Sequence, residues 1–254
     1  MAVVRPRQGF QRLANGPSRP LDERGLGSPV PCPGSIFGLV ANYPPAIRPI
    51  PPVPMVFGKF ASAVCGPYDD IRLPAAEALP MQSEWTVLEA ELAVVIGTGG
   101  RRIRAADALD AVAGFTVAQD ITERIHEFGP RATKVGTMQY ASLKSVGKSL
   151  DTFCPLGPVL VTIDELPTPH DLAIECRLNG EVVQKASTAE LLFDVAELIE
   201  FLSTFLTLRP GDVILTGTPS SRGGQLPRLT PDDVVETSIA GIGTLRNRCV
   251  ADVL

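Results

Sequence analysis

The chemistry in this sequence concentrates in oxygen donors. In WTVLEAELAVVIG, Glu89 and Glu91 stand two residues apart. On an extended strand both would leave one face, with Leu88, Ala90 and Leu92 on the other. An E-x-E pair alone is what any half-solvated strand shows. This strand, however, runs on as LAVVI, so its carboxylates border an apolar core, where charge is costly without a compensating cation. Asp120 closes a second apolar run, GFTVAQ. Three carboxylates with no Cys or His pair nearby make a hard oxygen site, suited to Mg²⁺, Mn²⁺ or Ca²⁺ and unsuited to zinc.

Histidine is scarce. His126 and His170 are the 2 histidines. His126 lies beside Glu127 in a polar, glycine-containing stretch reaching Leu143, which reads as a loop over a site. His170, in the turn TPH, reads as structural. The 5 cysteines are scattered and never in C-x-x-C spacing, the pattern of reduced thiols in a cytoplasmic protein. A net charge of −5 argues against a nucleic-acid surface. No apolar run reaches the roughly 18–20 residues that span a bilayer, so no membrane association is expected. Arg5, Arg7, Arg12 and Arg19 precede no apolar h-region. With Asp22, Glu23 and many Pro and Gly, the start reads as an ordinary arm and not as a signal or transit peptide.

The elements that must position these groups are mostly strands. A short strand, Ile36 to Val40, leads into ANYPPAIRPIPPVP, whose prolines forbid a helix and impose stiff extended backbone. Met55–Val64 and Trp85–Gly97 read as strands, Ala105–Val112 as a short amphipathic helix, and Gly114–Asp120 as a further strand. Asn179-Gly180 between alternating runs signals a two-residue hairpin. Thr188–Leu206 carries the apolar spacing of one long helix with Thr188 as its N-cap. The expectation is a strand-dominated α+β protein. Residues 1–50 form an N-terminal arm and small lobe with a Pro-rich lid, and 51–254 a catalytic domain.

The strings EAELAVVIG, AGFTVAQDITER, KSLDTFCPLGP, LNGEVVQ, ELLFDVAELIEFLSTFLTLRPGDVILTGTP and GIGTLRN resemble, in order and spacing, the fumarylacetoacetate hydrolase family. The resemblance covers roughly residues 35–250. It implies that family's mixed β-roll fold, usually a homodimer, with Glu89, Glu91 and Asp120 as ligands to Mg²⁺ or a similar ion. It also implies a small-molecule substrate, a 2-oxo or 1,3-dicarbonyl acid whose vicinal oxygens chelate the cation. Lys148 matches the family's active-site lysine, which pairs with a substrate carboxylate or developing enolate. Arg124 matches an arginine whose rigid fork suits a carboxylate. Thr218 in TGTP matches a threonine of the substrate pocket. Tyr43 in ANY and Lys59 in FGKF also align; Tyr43 is carried as a substrate-binding residue with packing as the competing role, and Lys59 as packing. Gln184 matches a customary glutamine of the hairpin and is read as structural.

The family's hydrolases carry a histidine just after the Asn-Tyr pair and a carboxylate three residues later, a dyad that activates water. Here those positions read Ala46 and Pro49. Neither moves a proton. A position commonly glutamine appears as Glu127. Decarboxylation and keto–enol isomerisation need a Lewis acid but no positioned hydroxide. The sequence therefore favours lyase or isomerase chemistry through a metal-bound enolate. Two alternatives stay open: an acylpyruvate-type hydrolase with His126 or Glu127 as substitute base, and a non-catalytic binding protein on the same fold.

Overall fold

The computed structural model describes residues 25–44, 50–75, 82–127 and 144–252; at 82–84 and 125–127 it describes the main chain only. The first part of the N-terminal arm, the dyad positions Ala46 and Pro49, and the side chains of His126 and Glu127 lie outside the described residues, as does 128–143.

Strands dominate, as composition and patterning imply. One seven-stranded sheet has the order β2-β1-β12-β6-β7-β9-β3. Its members are β1 (Ile36–Val40), β2 (Met55–Lys59), β3 (Val64–Cys65), β6 (Ala90–Ile96), β7 (Val112–Gln119), β9 (Cys154–Thr162) and β12 (Val213–Leu215). A five-stranded sheet, β11-β10-β14-β15-β4, is built from β4 (Ile71–Leu73), β10 (Ala173–Leu178), β11 (Glu181–Ser187), β14 (Val234–Ile239) and β15 (Gly243–Ala251). A small sheet, β13-β5-β8, joins β5 (Gln82–Val87), β8 (Thr122–Glu127) and β13 (Arg228–Leu229). One hydrophobic core runs through the two larger sheets, with Leu92, Phe115, Leu156, Ile174, Val235 and Leu245 fully enclosed. This is the mixed β-roll expected. Among the described residues no helix is long and apolar enough to cross a membrane.

The hairpin forms where Asn179-Gly180 places it, with φ of 52° and 85° at the two turn residues, the left-handed pair such a turn demands. Ala105–Ala111 coils as a 3₁₀ run with Ala108 and Ala111 buried.

Three elements depart from expectation. Met55–Val64 is broken, β2 ending at Lys59 and a 3₁₀ turn over Ala61–Ala63 preceding β3. Trp85–Gly97 is not one strand: β5 ends at Val87 and β6 begins at Ala90, with Leu88 and Glu89 forming a corner between sheets. Its partner hairpin arm bends in step, β7 ending at Gln119 and β8 beginning at Thr122. The corners are tied together by the Asp120 N–H, which donates to the Glu89 carbonyl at 2.8 Å.

The predicted helix over 188–206 is also split. Thr188–Glu190 is a 3₁₀ turn capped by Ser187, so Thr188 is not the N-cap of a long helix. The α-helix proper, α1 (Val195–Phe205), starts from Asp194, whose carboxylate accepts the Glu197 N–H while Glu197 reaches back to the Asp194 N–H. The break has a tertiary cause. The Asn42 carboxamide takes both the N–H and the C=O of Phe193, at 2.9 Å each, and the Asn42 carbonyl takes the Leu192 N–H. Backbone groups that a continuous helix would pair internally are bonded to a distant segment instead.

Candidate active site

The two corners set the chemistry. Because the chain changes sheet at Glu89 and at Asp120, their side chains converge with that of Glu91 instead of simply alternating along one strand. One oxygen from each of the three carboxylates lies within 4.8 Å of the others. Glu91 and Asp120 are wholly buried, and Glu89 is partly so. Three like charges this close repel strongly unless something neutralises them.

Two lysines supply part of that. The Lys59 ammonium donates to Asp120 Oδ1 at 2.7 Å and to the Ile121 carbonyl at 3.1 Å, with neither partner of the ion pair exposed. Lys148 donates to Asp120 Oδ2 and, at 2.9 Å, to Glu89 Oε1. Thr122 adds a hydroxyl donor to the same Glu89 oxygen. Burial alone would raise Asp120, yet the ammonium groups of Lys148 and Lys59 outweigh it and hold the carboxyl below the usual range. Burial likewise works to discharge Lys148, but Asp120 and Glu89 keep it firmly protonated.

Glu91 is treated differently. Burial first, then Asp120 and Glu89, push its carboxyl well above the usual carboxylate range, while Lys148 and the Gly217 N–H pull the other way. Its Oε2 accepts the Gly217 N–H at 2.6 Å, and its Oε1 has no partner among the described residues. A buried carboxylate oxygen left bare is costly. With all three ionised, the carboxylates exceed the two ammonium groups by one negative charge, which a bound cation would offset. An all-oxygen donor set with that excess and a bare oxygen fits a hard divalent cation. Glu89, Glu91 and Asp120 would hold it.

Gly217 is needed for this. Its φ is +99°, and a Cβ there would come within 2.8 Å of the Asn42 Cβ. Asn42 in turn donates to the Thr216 carbonyl at 2.8 Å, so one buried side chain ties the ANY segment, the TGTP loop and the start of α1 together.

A pocket of about 520 Å³ opens beside the carboxylates. Glu89, Arg124, Lys148 and Thr218 line it, together with Lys144 and Phe57. Thr218 is aimed by Gln184, whose amide donates to its hydroxyl oxygen at 2.9 Å and to the Pro219 carbonyl at 2.7 Å, and whose oxygen accepts the Ala90 N–H. Gln184 therefore orients a pocket residue, which its reading as purely structural missed. Lys59, read as packing, lies in the site itself. Tyr43 is not among the described lining residues. It is 1% exposed, its hydroxyl is unpaired among the described residues, and burial, then Glu91 and Glu190, raise its phenol above the ordinary value. His170 is exposed in its turn. The family resemblance marks Lys59, Gln184 and the Asn-Tyr pair, but nothing in the sequence shows what Lys59, Asn42 or Gln184 would touch.

Residues 36–250 match the family model described as fumarylacetoacetate (FAA) hydrolase C-terminal. The chain belongs to the fumarylacetoacetate hydrolase family. The mitochondrial oxaloacetate tautomerase FAHD2A of Bos taurus is 42% identical over 241 residues, covering 92% of this chain and 72% of the relative. Among solved structures, the 5-carboxymethyl-2-hydroxymuconate delta-isomerase of Mycobacterium smegmatis superposes with a TM-score of 0.73 at 33% identity, over 89% of this chain and 80% of that one. The maleylpyruvate hydrolase of Sphingobium sp. SYK-6, in complex with manganese(II) ion and pyruvate, gives 0.73 at 29% identity, over 89% and 74%. Relatives of this family member are thus named as tautomerases, isomerases and hydrolases.

Proposed function

We propose that this protein is a divalent-cation-dependent enzyme that interconverts the keto and enol forms of a 2-oxo acid, oxaloacetate being the representative substrate. The observation that carries the reading is the largely buried triad of Glu89, Glu91 and Asp120, held by Lys59 and Lys148 at the edge of a pocket lined by Arg124, Lys144 and Thr218. The tautomerase name of the bovine relative supports the choice among family chemistries.

A cation held by Glu89, Glu91 and Asp120 would supply Lewis acidity that makes the hydrogens at C3 of a 2-oxo acid more acidic. The protein's own groups do the rest. Lys148, fixed by two carboxylates and kept charged, presents an ammonium to the oxyanion that develops at the C2 oxygen. Arg124 offers a planar fork to the C1 carboxylate. Thr218 accepts from Gln184, which leaves its hydroxyl proton free to donate to a substrate oxygen. The C3 proton passes to solvent water and the C2 oxygen takes one from it, so the step is balanced without a co-reactant. Decarboxylation would break the C3–C4 bond instead, CO₂ leaving and the bond's electron pair passing into a three-carbon enolate. The same groups would stabilise that enolate until carbon takes a proton. The homodimer expected of the family belongs to this reading as well.

The test is a side-by-side assay with Mn²⁺ or Mg²⁺: conversion of enol-oxaloacetate followed by ultraviolet absorbance, release of CO₂, and cleavage of an acylpyruvate. Tautomerisation outpacing both other reactions is the expected result. An acylpyruvate cleaved faster than oxaloacetate is tautomerised would overturn the proposal in favour of hydrolysis, with His126 or Glu127 as the base to test.

A further inference from the structure

The pocket contains a cation that the chemistry above does not use. Lys144 sits one helical turn before Lys148, the Lys148 N–H donating to the Lys144 carbonyl at 3.1 Å. Both ammonium groups lie over the Phe57 ring, 4.7 Å from its centroid for Lys148 and 5.5 Å for Lys144. The ring packs over Gly38, where a Cβ would fall 2.1 Å from it. Lys148 pairs with Asp120 and Glu89, whereas Lys144 has no ion pair or hydrogen bond through its ammonium among the described residues. A half-buried ammonium facing a pocket without a carboxylate of its own is a site for an anionic ligand.

Resting on the proposed 2-oxo acid reading, we propose that Lys144 binds the second carboxylate of the substrate and so selects a dicarboxylic 2-oxo acid over a monocarboxylic one. The spacing supports it. Residues one turn apart on a helix have Cβ atoms about 5–6 Å apart, close enough for two flexible lysine chains to reach neighbouring groups of one four-carbon acid. With Lys148 at the oxo end, Lys144 meets the far end. Burial, then the charge of Lys148, works to lower the Lys144 pKa, with Arg124 adding to this and Glu89 and Asp120 opposing it. An arriving carboxylate relieves that stress, so binding it is rewarded more than at an exposed lysine.

The experiment compares oxaloacetate with pyruvate in the Mn²⁺-loaded enzyme. Enol-to-keto conversion reports on the first, and exchange of the C3 hydrogens with deuterium, read by NMR, on the second. In Lys144→Met the ratio of kcat/KM for oxaloacetate to that for pyruvate should fall roughly 10- to 100-fold, the scale of one lost charge-assisted hydrogen bond. The loss should appear in KM for oxaloacetate, and Lys144→Arg should restore most of it. An unchanged ratio, or a loss confined to kcat, overturns the assignment. If the wild type turns over neither acid, the functional reading falls. Calorimetric titration of oxaloacetate into wild type and Lys144→Met then decides the Lys144 assignment alone, equal affinities overturning it.

Discussion

Lys59→Met is the sharpest probe of how the carboxylates are held. In the wild type, Asp120 is wholly buried and pairs with two ammonium groups, and Lys59 is itself unexposed. Replacing Lys59 by an isosteric apolar chain leaves Lys148 as the sole described counter-charge on Asp120 and strips the Ile121 carbonyl of a donor. Breaking a buried pair on one side costs about 3–5 kcal/mol, and the retained Lys148 contact puts this case near 3. For a chain of this size each kcal/mol moves Tm by about 2–4 °C, so a drop of roughly 6–12 °C is expected in EDTA. The carboxylate cluster then carries one more uncompensated negative charge, so a divalent cation should rescue the variant more than it stabilises the wild type. Thermal denaturation followed by circular dichroism, with EDTA and with saturating Mn²⁺, measures both effects. A variant within about 2 °C of wild type in EDTA, or one that gains less from Mn²⁺, would refute the charge accounting.

Lys148→Met should lower kcat/KM on oxaloacetate by on the order of 10², while calorimetry shows Mn²⁺ affinity undiminished, since the lysine competes for ligand oxygens. Gly217→Ala should cost about 1–3 kcal/mol in urea unfolding and also weaken Mn²⁺ binding, because the strained backbone carries the N–H that fixes Glu91. Asp194→Ala should cost about 1 kcal/mol in the same unfolding assay, whereas Thr188→Ala should leave α1 intact, because Asp194 and not Thr188 caps that helix.

The amino-acid order alone determined whatever depends on short-range chemistry. Asn179-Gly180 specifies its hairpin because both turn residues need positive φ and few residue types accept it. The three carboxylates are legible because they interrupt apolar runs, and an interruption is local. The strand-rich class follows from period-two patterning for the same reason. Tertiary structure decided the rest, through contacts between segments far apart in sequence. Glu89 and Glu91 converge with Asp120 because two strands turn together at Leu88-Glu89 and Asp120-Ile121, a corner fixed by a bond between them and invisible in either run. Apolar spacing predicted one helix over 188–206, and Asn42, some 150 residues away, broke it by claiming backbone groups of residues 192 and 193. Lys59, aligned with the family in FGKF, reads as packing from the sequence. Only the fold brings a carboxylate within 2.7 Å of it, and in that dry interior the ion pair, not the methylene stem, governs its role.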